Sequence, residues 1–171
     1  MRKYLVVEAG GALGAISRYL LSNIIKTPAS GFPAGTFFIN LTGSFVLALF
    51  LTLIIERYTV SSEWRLFFAS GFVGAYTTFS TFSLETFTLF RENRLTIGLL
   101  YSAGSLIGGL ACAFSGLLLA RLIAFHHFNK TLEEELSLLE HEAASLEHLR
   151  LYGIKKIGPL PSEEGSELEV D

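Results

Sequence analysis

The chain has 171 residues, 50% of them hydrophobic, with 15 phenylalanines and a mean hydropathy of +0.47, a composition that excludes an ordinary soluble domain and points to the membrane class. Its formal charge of −3 is unevenly placed: residues 1–128 hold nine Lys or Arg against five Asp or Glu, and residues 129–171 hold four against eleven. A mildly basic membrane part is thus followed by an acidic tail, and no basic patch marks a nucleic-acid partner.

A bilayer core takes about 20 apolar residues to cross as a helix, and four runs meet that need, over 5–25, 33–55, 64–90 and 95–125. The first is not a signal peptide, because Glu8 and Arg18 lie within it and three further runs follow. It stops before K-T-P-A-S-G-F-P, where Pro28, Gly31 and Pro33 break helix and predict a short loop. The second carries no charge until Glu56 and Arg57 and a single amide, Asn40. Trp64 opens the third as an interfacial anchor. The fourth is longer than a perpendicular crossing and is expected to tilt or protrude.

Four crossings place both termini on one side. That side holds Arg2, Lys3, Arg57, Arg65, Arg121 and Lys130, against Lys26, Arg91 and Arg94 opposite, a weak bias towards cytoplasmic termini of the kind a chain inserting both ways would show. Small residues four apart (Gly10 and Gly14, Gly104 and Gly108, Cys112 and Gly116) predict close helix packing. So thin a bundle is expected to oligomerise. The membrane domain is read as 1–128. Leu132, Leu136, Leu139, Ala143 and Leu146 then follow a heptad-like stripe, which predicts an acidic amphipathic helix over 129–152, on a surface or against a partner. Residues 153–171 are expected to be disordered.

The third run holds the polar anomaly. Gly71 to Glu85 reads G-F-V-G-A-Y-T-T-F-S-T-F-S-L-E, with five Ser or Thr residues and a carboxylate inside a hydrophobic stretch. In hydrocarbon each such group needs a partner in the protein or a wet cavity, so a broken helix lining a polar path is expected. Phe79 and Phe82 share a helical face. They either pack, or present positive ring edges to a dehydrated anion beside Thr77, Thr78, Ser80 and Thr81. Each hydroxyl alone could simply bond back to its own i−4 carbonyl. Gly71 and Gly74 either ease packing or let the helix unwind and free carbonyls for a cation. Asn40 is either interhelical glue or an anion donor. Arg18 either snorkels or holds a positive vestibule. Glu85 must be protonated, paired or engaged in a proton step. The G-G-A-L-G-A segment lacks the strand of a dinucleotide loop, and the four histidines lack metal-site spacing. No nucleophile, base and orienting acid can be assembled, so an enzyme is not expected.

Three stretches, G-G-A-L-G-A-I-S-R-Y, G-T-F-F-I-N-L-T-G-S-F and the T-T-F-S-T-F core of the third run, resemble the bacterial fluoride exporter family, called CrcB or Fluc, over about residues 4–125. The resemblance implies an all-α fold of four transmembrane helices with the third broken within the membrane, assembled as an antiparallel, dual-topology homodimer in the inner membrane. It implies a passive, selective fluoride channel with two pores at the dimer interface. Phe79 and Phe82 match the pore aromatics, Asn40 the pore asparagine, and Thr78, Ser80 and Thr81 polar residues near the path. Glu85, Tyr101 and Ser105 fall on a further polar track, and Arg18 matches the vestibule arginine. Gly74 and Thr77 match the break whose main-chain oxygens, from both protomers, hold one structural Na+ per dimer. The tail departs from the family, whose members usually end soon after the fourth helix. The alternative is a small four-helix proton-coupled efflux transporter that uses Glu8.

Overall fold

The computed structural model describes residues 1–25, 27–28, 31–56 and 58–157; among them the chain is all helix, without a strand. The helices are α1 (Arg2–Ile24), α2 (Ala34–Glu56), α3 (Ser62–Arg65), a π-helix π1 (Leu66–Val73), α4 (Gly74–Tyr76), α5 (Phe79–Arg91) and α6 (Leu95–Ile157). Lys26 and Arg57 of the orientation count lie outside the described residues, as do residues 158–171 of the expected disordered end.

Each boundary has a local cause. Ser61 caps α3, its hydroxyl accepting from the Trp64 N–H at 3.4 Å. At the end of α5, Asn93 takes φ 59°. The Asn93 N–H reaches the Phe90 carbonyl at 3.1 Å and the Arg94 N–H reaches that of Leu89 at 2.9 Å. This crossed pair is a Schellman cap with asparagine at the left-handed position, and it allows α6 to start at Leu95.

Two compact units are distinguished, Met1–His126 and His127–Asp171. In the first, α1 packs along π1 and α4. Gly10 and Gly14 are buried there, where a Cβ would overlap the carbonyl oxygens of Phe67 and Phe72, and one at Gly71 would lie 2.7 Å from the Val7 carbonyl. The small-residue spacing read in the first run is thus a backbone-to-backbone contact. Gly116 of α6 meets the Phe45 carbonyl of α2 in the same way. An ion pair from Arg121 to Glu56, at 3.1 Å, ties α6 to the end of α2.

Among the described residues, the buried apolar core is Ile39, Val73, Leu89, Tyr101 and Ala120, while Leu13, Ile16, Leu99, Leu106, Leu110 and many like them are exposed. An exterior this apolar is that of a membrane protein. Helices α2 and α6 are long and apolar enough to cross a bilayer. The third run, expected over 64–90, is divided among α3, π1, α4 and α5.

The second unit is helical from His127 to Ile157 and its described side chains are exposed. A separate tail helix over 129–152 was expected; instead α6 continues from Leu95 without a boundary, and residues 153–157 are helical rather than disordered. Residues 117–152 contain no proline or glycine and are rich in Leu, Ala and Glu, so nothing stops the helix once begun.

Candidate functional site

The site forms where the third run departs from helix. Thr77 (φ −80°, ψ 158°) and Thr78 (φ −149°, ψ 116°) are extended, between α4 and α5. Extended backbone inside an apolar bundle needs partners from elsewhere in the protein, and Asn40 of α2 supplies them. The Thr78 N–H donates to Asn40 Oδ1 at 2.9 Å, and Asn40 Nδ2 donates to the Thr78 carbonyl at 3.1 Å. Of the two readings of Asn40, the first is therefore occupied: its oxygen and an N–H clamp the main chain of Thr78.

Thr78 is also the N-cap of α5. Its hydroxyl accepts from the Thr81 N–H at 3.2 Å, donates to Thr81 Oγ1 at 2.9 Å and lies 3.3 Å from Ser80 Oγ. In a continuous helix the N–H of Thr78 would bond the carbonyl of Gly74, and that of Thr81 the carbonyl of Thr77. Both N–H groups are engaged elsewhere, one by Asn40 and the other by the Thr78 hydroxyl. The hydroxyls thus divide in role. Thr77 and Ser83 bond back to the carbonyls of Val73 and Phe79, at 3.0 and 2.9 Å, whereas Thr78, Ser80 and Thr81 form a cluster of their own.

An open cleft of about 330 Å³ lies beside this break. Asn40, Thr77, Thr78, Phe79, Phe82 and Ser105 line it, six of the residues singled out in the sequence. The Phe79 and Phe82 rings lie 5.8 Å apart, and Phe82 is 5.2 Å from the ring of Tyr101. Ser105 Oγ is buried and has no hydrogen-bond partner among the described residues, an uncommon state for a hydroxyl, which ordinarily finds an acceptor.

Behind the rings, Glu85 is held by two hydroxyls. Thr36 Oγ1 donates to Oε1 at 2.9 Å and the Tyr101 hydroxyl donates to Oε2 at 2.7 Å. Thr36 and Tyr101 are themselves buried. Arg18, on α1, and Gly74, on α4, are not among the cleft-lining residues. Glu8 is exposed on α1, apart from the cleft.

Thr36, Gly43 and Ser44 of α2 also belong to the site, Thr36 through Glu85 and the other two as cleft-lining residues. Thr36, Asn40 and Ser44 recur every four residues in a mostly apolar helix, a polar stripe legible in the sequence. Gly43 lines the cleft, and a Cβ there would overlap the Thr77 methyl group, so it gives the break room beside α2.

The family model described as "CrcB-like protein, Camphor Resistance (CrcB)" matches residues 5–117, well over half of the chain. The chain belongs to the CrcB family. The CrcB match covers α1 to α5 and the first part of α6 and ends before the acidic second unit. Among similar proteins, the fluoride-specific ion channel FluC of Chlorobaculum tepidum is 45% identical over 122 residues, 71% of this chain and 97% of that protein. FluC 2 of Carboxydothermus hydrogenoformans is 44% identical over 127 residues, 74% of this chain and 93% of its own. The FluC of Thermotoga maritima is 42% identical over 120 residues, 69% and 94% respectively.

Proposed function

We propose that this CrcB chain is a passive fluoride channel of the inner membrane, in which the cleft beside Thr77 and Thr78 forms part of the ion path. The observation that carries this reading is the convergence, in one cleft, of two phenylalanines, an asparagine, the threonine cap of α5 and Ser105. Relatives of nearly the same length as the matched region, named fluoride-specific ion channels, support it.

Fluoride is small and strongly hydrated, so a pore must replace its water with several modest donors that also let it go. Ring edges and hydroxyls meet that need without a fixed cation. The Glu85 carboxylate accepts from Thr36 and Tyr101, so it acts as a satisfied post behind the rings rather than a free charge in the path. Phe79 is 80% exposed in the single chain, an orientation that suits a pore shared with a second protomer. The functional unit is an antiparallel homodimer with two pores and dual insertion, four crossings per protomer and the third broken within the bilayer.

The Gly74 and Thr77 carbonyls, whose helical N–H partners are engaged elsewhere, are hard oxygen donors suited to a Na+ ion. Two such oxygens per chain are too few for one ion alone, which is why both protomers share it. Sodium, when bound, supplies a fixed positive charge and a cross-link. Replacing sodium with N-methylglucamine should lower the thermal midpoint of the purified protein; an unchanged midpoint removes the ion from this reading.

The test of function is flux. Protein in fluoride-loaded liposomes should release fluoride rapidly once a potassium ionophore is added, with negligible chloride release, and Phe82→Ile should slow it at least tenfold without dissociating the dimer. No fluoride current, or equal passage of chloride, ends the channel reading.

A further inference from the structure

The second unit carries a feature that the fluoride path does not use. On the exposed helix from His127, Leu132, Leu136, Leu139, Ala143 and Leu146 make an apolar seam at alternating steps of four and three, the a and d positions of a heptad. Leu136 and Leu139 are 57% and 61% exposed, so the seam is uncovered. On its two flanks, at the e and g positions, stand Glu133, Glu135, Glu140, Glu142 and Glu147. None of these five has an ion pair among the described residues, the nearby pair of Lys130 and Glu134 at 3.9 Å lying on the far side of the helix.

We propose that this face is the docking surface for a basic amphipathic helix of another protein, one with leucine-like residues on its seam and lysine or arginine on its flanks. The charges decide among the possible occupants. Flanking positions set partner choice in a two-helix coil, and a second copy of this helix would set glutamate against glutamate in either direction. A bilayer surface is disfavoured too, because helices that lie on membranes carry broad apolar faces and basic flanks, the reverse of a narrow seam between two acidic rows. A partner with basic flanks pairs both rows and buries the seam at once. Asn129 and Arg150, which fall at the same heptad position as Leu136 and Ala143, bracket the seam with polar residues that would set its register.

The full-length protein in detergent micelles is titrated with a fluorescent synthetic helix of about four heptads, leucine on the seam and lysine on both flanks, and binding is read by anisotropy. Saturable binding is expected, weakened tenfold or more when the five glutamates are changed to Gln and likewise by Leu136→Asp with Leu139→Asp. Absence of binding overturns the proposal, as does equal binding of a scrambled peptide of the same composition, which reduces the effect to bulk charge attraction. Two further results also overturn it. One is disulfide cross-linking between Ala143→Cys tails in a Cys112→Ser background without peptide, which assigns the seam to a second copy. The other is protection of the tail by lipid vesicles, which assigns it to the membrane.

Discussion

At Glu85 a carboxylate lies in a helical segment of a membrane protein with no ion pair among the described residues, and two hydroxyls hold it, that of Thr36 at 2.9 Å and that of Tyr101 at 2.7 Å. Removing the acceptor would strand two buried donors. Glu85→Ala is therefore expected to cost about 1–3 kcal/mol, read as a lower unfolding midpoint in detergent. Tyr101→Phe in that background should recover part of the loss, and strictly additive effects would show that the two groups are not coupled. That Glu85 must be protonated, paired or engaged in a proton step was legible in the sequence, because a lone carboxylate in an apolar run permits little else. The identity of its partners was not, since Thr36 lies 49 positions away and only packing of α2 against α5 and α6 brings the hydroxyls together. Asn40 is similar: its importance was readable from being the sole amide in its run, whereas its attachment to the backbone of Thr78 needed the geometry.

Among the elements, α5 depends on its two ends. Its start is the Thr78 cap and its finish is the left-handed Asn93. A β-branched residue cannot take that conformation cheaply. Asn93→Val is expected to destabilise by about 1–2 kcal/mol, while Asn93→Gly should be neutral or slightly stabilising; equal midpoints for the two variants would dismiss the cap. A close approach of some helix to α1 was legible in the Gly10 and Gly14 spacing, because backbones approach closely only over small residues, but that the partner is π1 was not. The π-helix itself was not visible. Widening a turn to i→i+5 bonding leaves no distinct residue pattern, and in Leu66–Val73 it is seen only where Phe67 and Phe72 place their main chain against α1.

For the whole molecule, the shortage of buried core and the abundance of exposed leucine and phenylalanine set a single chain apart from a finished assembly. The apolar exterior is suited to lipid and to a second protomer. If chains insert in both orientations, a tag at the C-terminus should be labelled from each side of sealed cells, whereas labelling from one side alone removes dual insertion. The acidic unit from His127 would then be present on both faces of the membrane.

The sequence alone determined the class of the molecule: apolar run lengths, charge asymmetry and three motif stretches sufficed for an all-helical membrane protein of the CrcB family, because such properties are local and survive without knowledge of contacts. It also located the polar anomaly at Gly71 to Glu85. Only the tertiary structure decided how that anomaly is resolved. The extended pair Thr77 and Thr78 is tolerable because Asn40 arrives from another helix to satisfy it. The two carbonyls lose their usual partners because those N–H groups turn elsewhere. Hydrogen bonds between residues about 40 positions apart are set by how helices pack, and no local pattern encodes them.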